Sequence, residues 1–373
     1  MSRFATASLA CLTLCSLTVA QEDLTTWQSE DWTVPPTPPA WSATPNLLAQ
    51  SNDADTFTVS FGGPTVGDRI TTADFSSLQL TGLTEDKLGI VIGAKPGMST
   101  DTNAEFLLLM WGGATAPVSN SPQCTTGGAS PVGLRLYYVS GVPTLDEFWQ
   151  GTDEDAACSP LGQGLVQLAQ ANTLGTVGWV PNQTYNFDVR VSGCSLRVFV
   201  DGVLEFESLF DMSSVFDGQL GFACLSQRVL AGNVFSSPLP NPASLTEFGT
   251  GTMGTSSVPQ LTSPSGCSVD GGQFTLRATN SSDTAAQAGV LYISPTPLDF
   301  FLPLVGGNIY VDPSFSVVIP IFAPAGGFVD QLVNLSPDPG LIGMDFAGQA
   351  GWLDPAGTAN IALTNGLLTI IGA

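Results

Sequence analysis

Two glutamates, Glu205 and Glu207 in the run VFVDGVLEFES, are the first residues of this chain whose type and spacing could do chemistry. Residues i and i+2 on a strand sit about 6.5–7 Å apart at the backbone. That approaches the roughly 6.5–9.5 Å at which an acid and a base flank a glycosidic bond in an inverting hydrolase. The local pattern argues against the role. Asp201-Gly202 is a two-residue hairpin signal that pairs Val200 with Val203. Counting outward sets Val198 opposite Glu205 and Leu196 opposite Glu207, with Phe199, Leu204 and Phe206 on the core side. Both glutamates then fall on the wet face, and nothing marks one as an acid and the other as a base. The pair reads as solvated rather than catalytic.

Other chemistries fall away with the composition. The chain has no histidine, which removes Ser-His-Asp and Cys-His nucleophilic machinery, His-based zinc sites and histidine proton shuttles. Cysteines beyond the first twenty residues stand at 124, 158, 194, 224 and 267, with no CxxC pair. In an exported chain such residues are disulfide partners. Cys124 and Cys158 bracket the strand GLRLYYVSG and an acidic loop. Cys194 opens the hairpin and Cys224 lies in the strand after it, so the expected pairs are Cys124–Cys158 and Cys194–Cys224, with Cys267 left over. Trp149, in the acidic stretch LDEFWQGTDEDAAC, is a candidate sugar-stacking residue, since an aromatic ring beside carboxylates and amides suits a hydroxylated ring. Asn182-Gln-Thr and Asn280-Ser-Ser are glycosylation sequons where a host uses them.

Nine Lys and Arg against 32 Asp and Glu give a net charge of −23. That field repels phosphate backbones, so no nucleic-acid partner is expected. The opening MSRFATASLACLTLCSLTVA joins a basic start to an apolar run and small residues, which reads as a signal peptide over 1–20. The most apolar later stretch, GVLYISPTPLDFFLPLVGGNIYV, carries three prolines and Asp299, which suits strands and turns rather than a membrane helix. The expected product is secreted, extracellular or at the cell surface, with no transmembrane segment after signal removal.

These side chains must be positioned by strands. Short runs such as FTVSF, IVIGA, LRLYYV, FDVRV and LRVFV alternate with period two between Gly, Pro, Asn and Asp. LGQGLVQLAQAN, Leu161 to Asn172, is the modest exception, expected as a helical turn or loop. The class is all-β. A Pro/Ser/Gly/Thr-rich stretch over 241–257 reads as a linker between a first domain at 21–240 and a second at 258–373. After Arg277 there is no Lys or Arg, while seven Asp remain.

Several motifs of the first domain occur in a telling order. LGIVIG at Leu88–Gly93 follows an acidic turn, and Phe106–Trp111 ends in Met-Trp. Gly178-Trp179 leads into Tyr185-Asn186-Phe187, and Gly218–Gln227 joins Gly-x-Leu-Gly to a Ser-Gln pair. In these, roughly residues 27–240 resemble the C-terminal lectin-like domain of thrombospondins and, more broadly, the laminin-G and concanavalin A-like jelly rolls. The resemblance implies a lectin-like sandwich and carries calcium as a possible cofactor. Asn52, Asp53 and Asp55 lie on the segment aligned with the family's first strand, and Glu85 and Asp86 lie on the turn before the glycine-flanked strand. Oxygen donors of this kind are what calcium takes. About the last 110 residues, through Gln349-Ala-Gly-Trp-Leu-Asp354-x-x-Gly357 and Leu363-Thr-Asn-Gly, resemble a C-terminal module of exported planctomycete proteins, which implies no chemistry.

The expectation is an exported, non-enzymatic protein with a concanavalin-like jelly roll followed by a smaller antiparallel sandwich. Its partner is a glycan or an extracellular or cell-surface protein. The alternatives are a jelly-roll polysaccharide hydrolase using Glu205 and Glu207, or a structural surface component with no small ligand.

Overall fold

A computed structural model describes residues 20–32, 41–51, 57–78, 87–113, 131–150, 164–209, 213–225, 228–266, 268–295 and 297–372. It is all-β, as the period-two runs require. Strands between Ala20 and Pro238 form an eight-stranded and a seven-stranded antiparallel sheet, and strands between Ser244 and Ile370 form a smaller sandwich.

The eight-stranded sheet runs in the order Val203–Leu209, Ser195–Val200, Thr184–Ser192, Arg69–Ser77, Val229–Pro238, Leu47–Gln50 and Trp41–Thr44, with Ala20–Gln21 beside Val229–Pro238. Strand Thr184–Ser192 shows how it is built. Tyr185, Phe187, Val189 and Val191 turn inward and are buried, while Asn186, Asp188 and Arg190 turn out. Inward side chains meet Leu88, Ile90, Ile92, Trp111 and Phe222 of the seven-stranded sheet in one core. Each such buried apolar side chain contributes about 1.5–3 kcal/mol.

The seven-stranded sheet runs Gly164–Gln170, Gly133–Ser140, Glu105–Gly112, Lys87–Ala94, Gln219–Leu225, Phe57–Thr65 and Gln28–Asp31. Strand Lys87–Ala94 is buried along its whole length because its sheet is covered on both faces. On the far side, Val91, Phe106, Leu108 and Tyr137 pack with Trp32 and Phe148. The stretch read as a helical turn, LGQGLVQLAQAN, instead supplies the edge strand Gly164–Gln170, paired with Gly133–Ser140.

The second sandwich packs a six-stranded sheet on the three strands Leu261–Gly266, Gln273–Thr279 and Phe328–Asn334, through Leu261, Leu276, Leu291, Ile321, Trp352 and Leu367. The expected linker over 241–257 is corrected here. Ser244–Phe248 is the edge strand of the six-stranded sheet, in register with Gly366–Ile370. Beyond it, the Thr252 amide donates to the Leu363 carbonyl and the Thr255 amide to Asp354. The Pro and Gly residues of 241–257, Pro242, Gly249, Gly251 and Gly254, flank that strand on either side. The sandwiches touch where the Ala243 amide donates to Ser192 Oγ at 3.1 Å.

The stretches 349–357 and 363–366 form a buried polar scaffold. Gln349 accepts from the Tyr310 amide and donates to the carbonyls of Asn308 and Thr364. Asn365 bonds both backbone groups of Leu261. Asp354 is fully buried and accepts from the amides of Thr255 and Ala356 and from the side chains of Thr255, Ser281 and Gln287. Burial alone would raise its carboxyl, but the bonds from Ser281 and Thr255 hold it well below the usual carboxylate range.

Candidate functional site

The hairpin that carries Glu205 and Glu207 forms at Asp201-Gly202, with φ of 50° and 79° at those residues and Val200 opposite Val203 as expected. The expected register holds for one further pair, Phe199 opposite Leu204, and then fails: Val198 faces Phe206 instead of Glu205, so Glu205 is the extra residue of a β-bulge. The inward residues are therefore Leu196, Val198, Val200 and Phe206. Glu205 is 1% exposed, not solvated. Its carboxylate accepts from the Thr173 amide at 2.8 Å, the Leu174 amide at 3.1 Å and the Thr173 hydroxyl, and its carbonyl accepts from the Asn172 amide. Glu207 is exposed and accepts from Arg197 Nε at 2.7 Å. One glutamate fastens a turn and the other forms a surface ion pair, so the two do not line a common space.

The polar outward side chains of this sandwich converge at the middle of the eight-stranded sheet. Asp74, Asn186 and Asn233 sit on the three adjacent strands Arg69–Ser77, Thr184–Ser192 and Val229–Pro238. Asp74 is in register with Asn186 on one side and Gly232 on the other. A second bulge follows Gly232, where Asn233 and Val234 together oppose one residue. It lets Val234 enter the core while Asn233, at φ 50°, turns outward. Asparagine tolerates that left-handed backbone better than most residues. Asp74 then accepts from Asn186 Nδ2 at 3.0 Å and from Asn233 Nδ2 at 2.7 Å, one on each carboxylate oxygen. Both amide carbonyl oxygens remain as acceptors on a clamped, preorganised triad.

The next row across the sheet holds Phe199, Asp188, Thr72 and Phe235 in register. Arg190 lies over the Phe199 ring at 4.5 Å and forms a two-oxygen pair with Asp188, closest at 2.6 Å. The Asp188 bond raises the Arg190 pKa further above its already high value. Strands in a sheet are about 4.8 Å apart. Phe199 and Phe235, three strands apart in that row, are thus separated by about 14 Å, with the Asp74 triad one row away. Planar amides, carboxylates, a guanidinium and flanking aromatic rings can together hold the hydroxyls and the apolar face of a sugar. None of Asp74, Asn186 or Asn233 was singled out from the sequence. The available signal was Gly232-Asn233, a turn-type pair inside a strand pattern.

The remaining expected residues fare differently. Trp149 falls on a short helix, Leu145–Gln150, rather than in a loop, and its side chain lies outside the described residues. Asn52, Asp53, Asp55, Glu85 and Asp86, and likewise Cys124, Cys158 and Cys267, lie outside the described residues. No group of three or more metal-ligating side chains occurs among the described residues. The Cys194–Cys224 bridge is corrected. Cys194 is disulfide-bonded, whereas Cys224 is a buried thiol. Cys224 points into the main core from the seven-stranded sheet, while Cys194, in the turn between two strands of the eight-stranded sheet, packs on Ala243 and Val269 of the second sandwich. The Asn280 sequon is buried, its Nδ2 donating to the Ala285 and Pro324 carbonyls, whereas Asn182 is exposed at a turn. Lys87, also buried, donates to the Phe148 carbonyl at 2.7 Å, and burial reinforced by Arg135 pushes its pKa down to about 7.

No family model matches this chain. No curated relative matches it either. Among solved structures it is similar to carbohydrate binding module CBM66 from Bacillus subtilis, at 12% identity over 56% of this chain and 94% of that one, with a TM-score of 0.34. The exoplasmic/lumenal domain of VIP36, in its Ca2+/Man-bound form, is 11% identical over 57% of this chain and 83% of its own, with a TM-score of 0.34. A protein of unknown function with a galectin-like fold from Bacillus subtilis is 12% identical over 58% of this chain and 90% of that one, with a TM-score of 0.31. At these identities the likeness is one of fold alone. No helix among the described residues is long and apolar enough to cross a membrane.

Proposed function

We propose that this is an exported, non-enzymatic binding protein whose first sandwich takes a glycan on the outer face of its eight-stranded sheet. The observation that carries the reading is the clamp of Asp74 by Asn186 and Asn233, built by a bulge that aims Asn233 outward one row from the line that runs from Phe199, under Arg190, to Phe235. Such polar triads fix orientation, and flanking rings supply apolar contact. The bonded state of Glu205 and its separation from Glu207 favour binding over hydrolysis. The second sandwich serves as the spacer or attachment module of the exported protein. Calcium remains part of the proposal through the oxygen donors at 52, 53, 55, 85 and 86 in the sequence.

The test is a glycan array followed by titration of any hit. Asn233→Ala and Asp74→Ala should each weaken binding at least roughly tenfold, as loss of a partner in a polar recognition network does, with the fold intact by circular dichroism. Binding that survives both substitutions unchanged would remove the face from consideration. Release of reducing sugar by the wild-type protein would overturn the non-enzymatic reading.

A further inference from the structure

We infer that the ligand of this face is a neutral glycan, and that sulfated and uronic-acid chains are rejected; the inference rests on the reading above and names the ligand class of the same site. It begins with the placement of positive charge. Among the described residues of the strands Thr184–Ser192 and Ser195–Val200, Arg190 and Arg197 are the cationic side chains on this outer face, and each is paired with a carboxylate. Arg190 is paired with Asp188 at 2.6 Å and Arg197 with Glu207 at 2.7 Å. Arg190 also lies over the Phe199 ring, so its guanidinium cannot swing to a new anion without leaving both partners.

Negative charge is then in excess. Asp74 lies at the centre of the face with no cation among its partners, only the two amide groups of Asn186 and Asn233. Asp201, at the rim, is engaged by the Asn186 amide at 2.8 Å. Among the described residues named here, four carboxylates (Asp74, Asp188, Asp201 and Glu207) therefore stand against two guanidiniums, on a chain whose net charge is −23. A sulfate or carboxylate placed among them meets like charge at close range, an arrangement by which interfaces exclude wrong partners. Amide oxygens and carboxylates are acceptors, and they suit the donor hydroxyls of an uncharged sugar.

The width of the site extends the inference to size. Phe199 and Phe235 lie about 14 Å apart across three strand spacings, more than one sugar ring can cover. The face is built for a chain laid across the strands, not for a single monosaccharide.

The experiment is an array of matched pairs, each neutral glycan beside its sulfated or uronic-acid counterpart, with hits titrated by calorimetry at about 50 and 500 mM salt. We expect neutral oligosaccharides to bind, affinity to rise with chain length beyond a disaccharide, and the anionic counterparts to bind at least roughly tenfold more weakly at low salt. The gap should narrow at high salt, where charges are screened. Asp188→Asn combined with Glu207→Gln frees both guanidiniums and should admit the sulfated chain. Anionic glycans that bind as well as neutral ones, and lose binding in Asn233→Ala, would overturn the inference while leaving glycan binding in place. Rejection of sulfated chains that persists in the double variant would overturn the assignment of selectivity to these ion pairs. An array with no hit at all would sink the glycan reading itself, and this inference with it.

Discussion

On the eight-stranded sheet the outward positions of one strand hold Asn186, Asp188 and Arg190, whereas on the six-stranded sheet the outward positions of Val317–Ala323 hold Val318, Pro320 and Phe322. The register extends each pattern across neighbouring strands. Around Asp188 stand Phe199, Thr72 and Phe235. Around Phe322 and Pro320 stand Ala288 and Val290, and then Gly351 and Leu353 on the next strand. Phe322 and Leu353 are each 64% exposed. Both sandwiches obey the same alternation, so the difference lies entirely in which residues occupy the side not needed for folding. The eight-stranded sheet arranges hydrogen-bonding groups there, and the strand Val317–Ala323 of the six-stranded sheet arranges apolar ones.

The two also hide a carboxylate in different ways. Asp354 sits inside the second sandwich with five protein bonds, and Glu205 sits at a bulge and holds the turn at 172–174. Replacing Asp354 with Ala leaves several buried donors unsatisfied, which should cost at least about 3 kcal/mol. Urea unfolding measures the loss, and hydrogen exchange should place it in peptides from 244 to 372. Equal loss of protection in the first sandwich would mean that the two unfold as one unit, which would erase the contrast. The pH dependence follows from the sign of the shift. A carboxyl held below its unfolded value contributes fully above about pH 4 and progressively less as the pH falls further. Asp354→Asn should flatten that acid slope.

A smaller effect is expected at the opening pair of glutamates. Glu205→Gln should cost about 1.5–3 kcal/mol, because charge-assisted bonds to the Thr173 and Leu174 amides are lost. Glu207→Gln should cost about 0–1 kcal/mol, the range of an exposed ion pair. Equal losses in a thermal melt would show that the bulge does not separate their roles. The smallest effect belongs to the apolar outer face. Phe322→Ala should shift stability by less than about 0.5 kcal/mol, since little burial is lost. A loss of several kcal/mol there, by the same melt, would show that this surface is covered in solution.

The alternation of LRVFV and FDVRV and the Asp201-Gly202 turn were enough to predict strands, a hairpin and an all-β class. The site was not readable in the same way, because both decisive features are bulges. A bulge adds one residue and reverses the inward-outward count beyond it, so parity carried from the turn assigned Glu205 to solvent and Phe199 to the core. The second bulge, at Asn233, brings an outward asparagine next to Asp74 across 159 residues of sequence. Spacing along the chain has no means of showing that. Composition misled at 241–257 for a related reason, since Ser244–Phe248 has one partner strand and reads as loosely as a linker.

Asn280 carries a consequence for how the protein can be made. Its amide nitrogen, the atom to which an N-linked sugar is joined, is the donor that ties the Ala285 and Pro324 carbonyls together inside the second sandwich. A eukaryotic secretory host that decorates the extended chain at Asn280-Ser-Ser would attach a bulky polar group where the folded loop has room for a side-chain amide alone. Asn182, exposed on its turn, imposes no such conflict. Asn280 therefore makes a non-glycosylating host, or removal of that sequon through Ser282 rather than through the asparagine itself, the route to homogeneous material.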